Sequence, residues 1–240
     1  MFQDRPITAI VPARGGSKGL PGKNLLKLGR FTLLERAILT AKQCREVDRV
    51  IVSTDDAQMH ALAGAHDAAA PALRPDVLAS DTATSADVVR HVIDAAGIAP
   101  GWLLLLQPTS PLRTLADLAG LLALADESKA RAVVSVVAHE EPRPEKLLKL
   151  CDGDLEPYLD TVHEGPRQAL PMPYALNGAF YLIDRDLFLE TGSFLPAGTK
   201  GFVMRETRSA NIDGPGDWDI LNAMVAAGKW TFEEYDQIRS

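Results

Sequence analysis

The chain has 240 residues, of which 46% are hydrophobic and 24% are charged, and its net charge is −7. This composition is typical of a globular domain and excludes a disordered tail protein, while the acidic balance argues against general nucleic-acid binding. Two distant cysteines, Cys44 and Cys151, exclude a disulfide scaffold. The longest strongly apolar stretch, 102–106, is far shorter than the roughly 20 residues of a membrane span, and the N-terminus lacks a signal-peptide pattern. We therefore expect one soluble, cytoplasmic domain over residues 1–240, without membrane or nucleic-acid partners.

Apolar runs alternate with amphipathic helical patterns along the chain. Strands are predicted at 7–11, 49–53, 102–106, 132–138, 178–183 and 202–205. Three helices are predicted to begin at Thr32, Thr84 and Thr114, and a last one to span 215–227. Strands that alternate with helices predict an α/β fold, in which helices cover both faces of a mostly parallel sheet. Such sheets bind ligands beyond the carboxyl ends of their strands.

Residues 142–173 interrupt this alternation with several prolines and mixed charges. We predict an inserted arm or hairpin extension here, which would serve as a dimer contact. The alternative is a long surface loop, although long structureless loops are uncommon in compact domains.

A glycine-rich basic segment follows the first predicted strand directly. It holds four glycines between 15 and 22, and Arg14, Lys18 and Lys23 add positive charge. Glycines let a backbone approach a ligand closely, and the cations neutralise a polyphosphate, so the segment predicts a phosphate-binding loop. Ser17 and Asn24 stand where a P-loop needs glycine and a metal-binding hydroxyl, and GxGxxG is absent, so P-loop and dinucleotide sites lose support. The alternative is a glycine turn with solvated charges.

The segment 11–24 resembles the N-terminal signature of the acylneuraminate cytidylyltransferases, which activate sialic-type acids with CTP. Further similar motifs follow in order at 51–56, 73–75, 78–85, 106–113, 166–168, 177–181 and 212–213. The first loop together with the run LQPTSPLR at 106–113 is the most specific match, and the resemblance covers nearly the whole chain. It implies a mixed sheet of the Rossmann-like nucleotidyltransferase type with a small dimerisation arm, a homodimer, CTP as donor, a small acidic acceptor and Mg²⁺ as cofactor.

The resemblance also implies roles for individual residues. The implied nucleotide-binding residues are Arg14, Gly15, Gly16, Ser17, Lys18, Lys23, Asn24, Arg74, Ser80 and Ser85. The implied acceptor-binding residues are Gln107, Lys146, Arg167, Asn177 and Tyr181. Asp213 and Asn211 would hold the metal, and Arg14, Lys23 and Asp213 would carry catalysis. In the reaction, an acceptor hydroxyl attacks the α-phosphorus of CTP and pyrophosphate leaves.

Two positions depart from the family pattern. Asn211 stands where relatives usually carry the first aspartate of Asp-x-Asp. Either one metal site is weakened, or another acid such as Asp217 helps, although Asp217 fits better as a first-turn helix acid. Ala175 stands where many relatives have arginine on the acceptor side. Three alternatives therefore stay open: a different acidic acceptor such as 3-deoxy-octulosonate, a small phosphonate such as phosphonoformate, or a non-catalytic nucleotide-binding homologue.

Overall fold

The computed structural model describes residues 1–80, 82–159 and 171–235. Its strands are β1 (Ile7–Pro12), β2 (Lys27–Leu28), β3 (Phe31–Thr32), β4 (Val47–Ser53), β5 (Trp102–Leu105), β6 (Ala132–Ala138), β7 (Leu148–Cys151), β8 (Asp154–Pro157), β9 (Tyr174–Asp184) and β10 (Lys200–Met204). Its α-helices are α1 (Leu33–Gln43), α2 (Ala57–Ala65), α3 (Asp76–Ala79), α4 (Ser85–Ala96), α5 (Leu115–Ser128), α6 (Arg185–Thr191) and α7 (Pro215–Ala226). Short 3-10 turns span Lys23–Leu25, Pro144–Lys146 and Glu206–Arg208.

The main sheet has six strands in the order β10-β6-β9-β5-β1-β4. Strand β9 is antiparallel to both of its neighbours, and the other pairs are parallel. The predicted α/β fold with a mixed, mostly parallel sheet is confirmed. All six predicted strands are present, with ends that differ by a few residues for most of them.

Helices cover both faces of this sheet because side chains along each strand alternate between the faces. On one face, Ala9 and Val11 of β1 pack in a core with α1, α2 and α5. On the other face, Ile10 packs in a second core with Val89 of α4 and Phe188 of α6. A third, smaller cluster joins Ile212 to α7 and to the segment around β2 and β3.

The predicted helix starts are confirmed by their capping interactions. The hydroxyls of Thr32, Thr84 and Thr114 each accept the backbone N–H three residues on, and the acid at that position accepts the threonine N–H in return. Each such cap stabilises its helix by about 1 kcal/mol. Helices α2, α3 and α6 were not predicted from the sequence. None of the described helices is both long and apolar enough to cross a bilayer.

The interrupted segment 142–173 contains an antiparallel hairpin of β7 and β8, whose residues are exposed on both strands. Residues 160–170 of this segment lie outside the described residues. Its use as a dimer contact stays a prediction.

The carboxyl ends of β1, β4 and β5 lie side by side at one edge of the sheet. The glycine-rich loop leaves β1 at this edge, Thr54 and Asp55 leave β4, and Gln107 follows β5. Because β9 runs the opposite way, its first residues lie at the same edge. The chain therefore brings four distant segments to one place.

Candidate active site

A cavity of about 410 Å³ opens at this edge of the sheet. Its lining residues are Pro12, Arg14, Ser17, Lys23, Asn24, Arg74, Leu78, Ser80, Ala83, Ser85, Val88, Gln107, Pro108, Thr109, Asn211 and Asp213. Three walls can be distinguished: the glycine-rich loop (14–24), the segment from Arg74 to Val88, and the turn 107–110 together with 211–213. Ten of the residues predicted for the site from the sequence are among them.

The loop wall is held by its own polar side chains. Asn24 is buried, and its Nδ2 donates to the backbone oxygen of Arg14 at 3.0 Å. Lys23 follows Gly22, which adopts the left-handed conformation, and its Nζ donates to the Ile212 carbonyl at 2.8 Å. Asn24 therefore holds the Arg14 backbone in place, and Lys23 connects the loop to the third wall.

Three residues predicted to bind nucleotide lie outside the cavity lining: Gly15, Gly16 and Lys18. The amide of Gly15 donates to Oδ1 of Asp55 at 3.0 Å. In this structure the Gly15 N–H therefore supports the loop from behind, instead of pointing at a phosphate as the sequence predicted.

The second wall places a buried cation against the cavity. The Arg74 side chain is 4% exposed, its backbone N–H donates to Thr54 O at 2.7 Å, and its Nη2 lies 3.4 Å from Oδ1 of Asp55. Burial lowers the pKa of the Arg74 guanidinium, Asp55 opposes this, and the positive charge of Arg14 lowers it further. Two cations that face one cavity favour an anionic ligand between them.

The rest of this wall combines apolar and hydroxyl groups. Leu78, Ala83 and Val88 provide an apolar surface, and Ser80 and Ser85 add hydroxyls beside it. Ser85 is the first residue of α4, directly after the capping Thr84. A surface of this composition suits a nucleoside, whose base has apolar faces and polar edges.

The third wall depends on a buried arginine that the sequence did not single out. The Arg113 side chain donates to the backbone oxygens of Ser110 at 2.8 Å, Ala179 at 2.6 Å and Gln107. It is 2% exposed, and burial lowers its pKa to about 10. Arg113 thus fixes the turn that carries Gln107 into the cavity. It closes the motif 106–113 that carried the resemblance.

The start of β9 supports the same turn from behind. The hydroxyl of Ser110 donates to Asn177 O at 2.8 Å. Gly178 has φ +73°, and a Cβ there would lie 2.5 Å from Oε1 of Gln107 and 2.8 Å from the Ser110 hydroxyl. Only glycine fits this position without moving Gln107.

Asn177 and Tyr181, predicted to bind the acceptor, do not line the cavity. The Asn177 side chain is buried, accepts from Ser135 Oγ at 2.6 Å and donates to Ser209 Oγ at 3.0 Å. The Tyr181 ring packs edge-on against Phe194 at 5.7 Å, and burial raises its pKa. In this structure neither side chain is brought to the cavity, so the predicted direct contact with the acceptor is not seen.

The two arm residues predicted for the acceptor are not brought to the cavity either. Lys146 is exposed at the end of the turn Pro144–Lys146 and is absent from the lining. Arg167 lies outside the described residues.

The predicted metal residues lie at the cavity rim. The Asn211 Nδ2 donates to Oδ2 of Asp213 at 2.6 Å, and Lys23 Nζ lies 3.5 Å from Oδ1. The Asp213 side chain is 73% exposed. Asp217 instead accepts the backbone N–H groups of Gly214 and Asp213 at 2.8 and 2.9 Å, so it is the first-turn helix acid.

These groups fit a hard cation that arrives with a polyphosphate. One carboxylate and one amide oxygen are the oxygen ligands that Mg²⁺ accepts, and it usually keeps few protein ligands beside substrate phosphates. Within the described ranges, no group of three or more His, Cys, Asp or Glu side chains could hold a metal without such help.

Comparison with known proteins identifies the family. The sequence profile of the cytidylyltransferases matches residues 8–158, from β1 through the β7–β8 hairpin. This chain belongs to the cytidylyltransferase family. The family expected from the glycine-rich loop and the 106–113 motif is confirmed.

Two relatives of this cytidylyltransferase illustrate the match. The N-acylneuraminate cytidylyltransferase of Escherichia coli O18:K1:H7 is 32% identical over 89% of this chain, which spans only 51% of that relative. The CMP-N,N'-diacetyllegionaminic acid synthase of Legionella pneumophila is 31% identical over 91% of this chain and 96% of its own length. The chain thus spans half of one relative and nearly all of the other.

Solved structures support the fold of this cytidylyltransferase. A CMP:2-keto-3-deoxy-manno-octonic acid synthetase complexed with CTP superposes with a TM-score of 0.68 at 20% identity, over 93% of this chain and 99% of that one. A 4-diphosphocytidyl-2C-methyl-D-erythritol synthase superposes with a TM-score of 0.64 at 16% identity. Both likenesses bear out the nucleotidyltransferase fold.

Proposed function

We propose that this cytidylyltransferase transfers CMP from CTP to a small acidic acceptor, a nonulosonic (sialic-type) acid, and releases pyrophosphate. The observation that carries the proposal is the convergence of Arg14, Lys23 and Arg74 with Asp213 around one cavity at the sheet edge. A cationic cavity with an apolar wall and a carboxylate at its rim suits a nucleoside triphosphate. The relatives named for N-acylneuraminate and N,N'-diacetyllegionaminic acid support the acceptor class.

The reaction needs positioning and charge stabilisation more than covalent work by the protein. A hydroxyl oxygen of the acceptor forms a bond to the α-phosphorus of CTP. The bond from this phosphorus to the oxygen that bridges it to the β-phosphorus breaks, and pyrophosphate leaves with the electron pair. The hydroxyl proton passes to solvent.

Each wall has a proposed part in this reaction. Arg14 and Lys23 neutralise the phosphate oxygens, on which negative charge accumulates as pyrophosphate leaves. Arg74 and the hydroxyls of Ser80 and Ser85 bind the cytidine side. Gln107 faces the acceptor, held by the turn that Arg113 fixes.

Magnesium is the proposed cofactor, and Asp213 with the amide oxygen of Asn211 would hold it. When bound, the ion would offset the charge of the triphosphate and of the leaving pyrophosphate. Asn211 contributes no charge, so we expect metal binding to depend on CTP.

We further propose that the protein is a homodimer that associates through the arm 142–173. The hairpin exposes apolar side chains, with Leu150 71%, Leu155 67% and Tyr158 65% exposed. Exposed apolar surface of this kind is typical of an association site. Sedimentation at micromolar concentration should give a dimer, and a monomer would contradict this proposal.

A cytoplasmic location stays a prediction.

The function is tested by pyrophosphate release from CTP in the presence of magnesium and an acceptor panel. The panel includes a sialic acid, a legionaminic-type acid, 3-deoxy-octulosonate, phosphonoformate and a neutral sugar as control. We expect release with the nonulosonic acids, and release with another acidic acceptor alone would reassign the acceptor. CTP binding without turnover on any acceptor would point to a non-catalytic homologue, and absence of both would overturn the proposal.

A further inference from the structure

Two backbone hydrogen bonds at the end of β4 connect it to both walls of the nucleotide side. The Ser53 carbonyl accepts the N–H of Ala13, the first residue after β1, at 2.9 Å. The next carbonyl, of Thr54, accepts the N–H of Arg74 at 2.7 Å. The loop wall and the Arg74 wall are therefore anchored to adjacent residues.

Asp55, the residue after Thr54, also contacts both walls, but through its side chain. Its Oδ1 accepts the N–H of Gly15 at 3.0 Å and lies 3.4 Å from Nη2 of Arg74. One oxygen atom thus contacts the backbone of the loop wall and the guanidinium of the other wall. Asp55 itself is absent from the cavity lining, so it stands behind both walls.

Arg74 needs such a partner because its charge is buried. Its Nε has no hydrogen-bond partner among the described residues. Over the ranges 1–80, 82–159 and 171–235, Asp55 is the one carboxylate within ion-pair distance of Arg74. A buried guanidinium without a hydrogen-bond acceptor at this place would turn away or recruit water, and its direction in the cavity would be lost.

We infer that Asp55 is a positioning residue that sets the Gly15 backbone and the Arg74 guanidinium relative to each other, and so shapes the CTP site. The inference rests on the proposed function for its ligand, CTP. It goes further by assigning a role to a residue that touches neither phosphate nor base. The role is geometric: the two hydrogen bonds matter more than the charge.

The test compares three variants by calorimetric CTP binding, thermal melting and steady-state kinetics. Asp55→Ala removes both hydrogen bonds and should weaken CTP binding about 10- to 100-fold, since bonds to charged groups have effects of this size. Asp55→Asn keeps an oxygen that accepts from both donors and should stay within about threefold of the wild-type dissociation constant. The rate at saturating CTP should change less than the KM for CTP in both variants.

Asp184→Ala is the control, because this buried carboxylate also pairs with arginines and accepts from Leu187 N at 2.8 Å at the start of α6, and it does not line the cavity. It should lower the melting temperature and leave CTP affinity unchanged. The control therefore distinguishes an effect of lowered stability on CTP binding from a loss of positioning.

A double variant tests whether Asp55 acts through Arg74. In an Arg74→Met background, Asp55→Ala should weaken CTP binding less than it does in the wild-type background. CTP binding by Asp55→Ala as tight as wild type, or equal weakening by Asn and Ala, would overturn the inference while the proposed function stands. A wild-type protein that binds CTP without turnover would overturn the proposed function alone, and one that does not bind CTP would overturn both.

Discussion

The nucleotide-facing and acceptor-facing parts of the site differ in how the chain builds them. Arg14, Lys23, Arg74 and Ser85 belong to segments tied to the ends of buried strands or to a helix start, and all line the cavity. Of the residues predicted for the acceptor, Gln107 alone among the described ones reaches it. Asn177 and Tyr181 do not line it, and Lys146 is on the exposed arm.

The comparison separates motifs whose residues contact the ligand from motifs whose residues hold those contacting residues in place. Residues just beyond parallel strands are carried to the ligand edge by the sheet itself. A conspicuous motif inside a strand, such as 177–181, instead packs against the turn that reaches the ligand. The following variants separate contact from support.

The largest effect is expected for Asp213→Ala, on the contact side. We predict a fall in kcat/KM of about 100-fold or more, because the proposed metal and phosphate site loses its carboxylate. The fold should be unchanged, since the Asp213 side chain is 73% exposed. Pyrophosphate release and thermal melting check both points, and Asp219→Ala, an exposed acid on α7, is the control. Near-normal turnover by Asp213→Ala would remove this residue from the reaction.

Gly178→Ala should have the next largest effect, on the support side. The added Cβ would displace Gln107 or Ser110, and φ +73° strains any other residue. We predict that kcat/KM for the acceptor falls about 10- to 100-fold, as expected when a reacting group is misplaced by about 1 Å. The KM for CTP should change little. Gly216→Ala on α7, where a Cβ meets nothing within 4 Å, is the control; equal losses in the two variants would disprove the steric account.

Asn177→Ala distinguishes best between structural support of the site and direct contact with the acceptor. The side chain bonds Ser135 and Ser209 in the interior, so we predict a loss of about 1–3 kcal/mol in the free energy of unfolding. Both KM values should stay within about threefold of wild type while the protein is folded. Chemical denaturation and kinetics provide the comparison, with the exposed neighbour Leu176→Ala as control. A raised acceptor KM at unchanged stability would restore the predicted contact role.

Asp217 should show the smallest effect, which is a change in how the stability of the protein depends on pH. The N–H groups of Gly214 and Asp213 hold the pKa of this carboxyl below its usual range. A depressed pKa in the folded state stabilises the protein above the unfolded value of about 3.9, and this contribution is lost as the pH falls through the folded value. The melting temperature of Asp217→Asn should therefore lie below wild type at pH 7 and converge with it as the pH falls below about 4. A difference that persists at low pH would contradict the charge-based account.

Most of the fold could be predicted because it depends on local signals. Hydrophobic runs mark the strands, and the threonine caps at 32, 84 and 114 fix three helix starts. Helix α2 was missed because its capping Asp56 lies within a motif that resembled a strand end. Helix α6 was missed because it is a short helix that starts directly after β9.

The site was predicted in part for a physical reason. The composition of the loop after β1 already indicates its chemistry. Asp55 instead acts on atoms of distant segments, and Arg113 joins its own turn to Ala179 of β9. Asp55 had one available signal, its position beyond a buried strand at the same edge as the loop. Arg113 had none beyond its place in the motif, because a buried arginine cannot be told from a solvated one by sequence.

In the proposed reaction the acceptor attacks the α-phosphorus, which stays with cytidine. The most direct test follows CTP labelled at the α- or the γ-phosphate during incubation with a nonulosonic acid and magnesium. We predict that the α-label moves into a CMP–acceptor adduct and that the γ-label appears in pyrophosphate. Label that remains in CTP with every acceptor, or γ-label released as orthophosphate, would contradict the account.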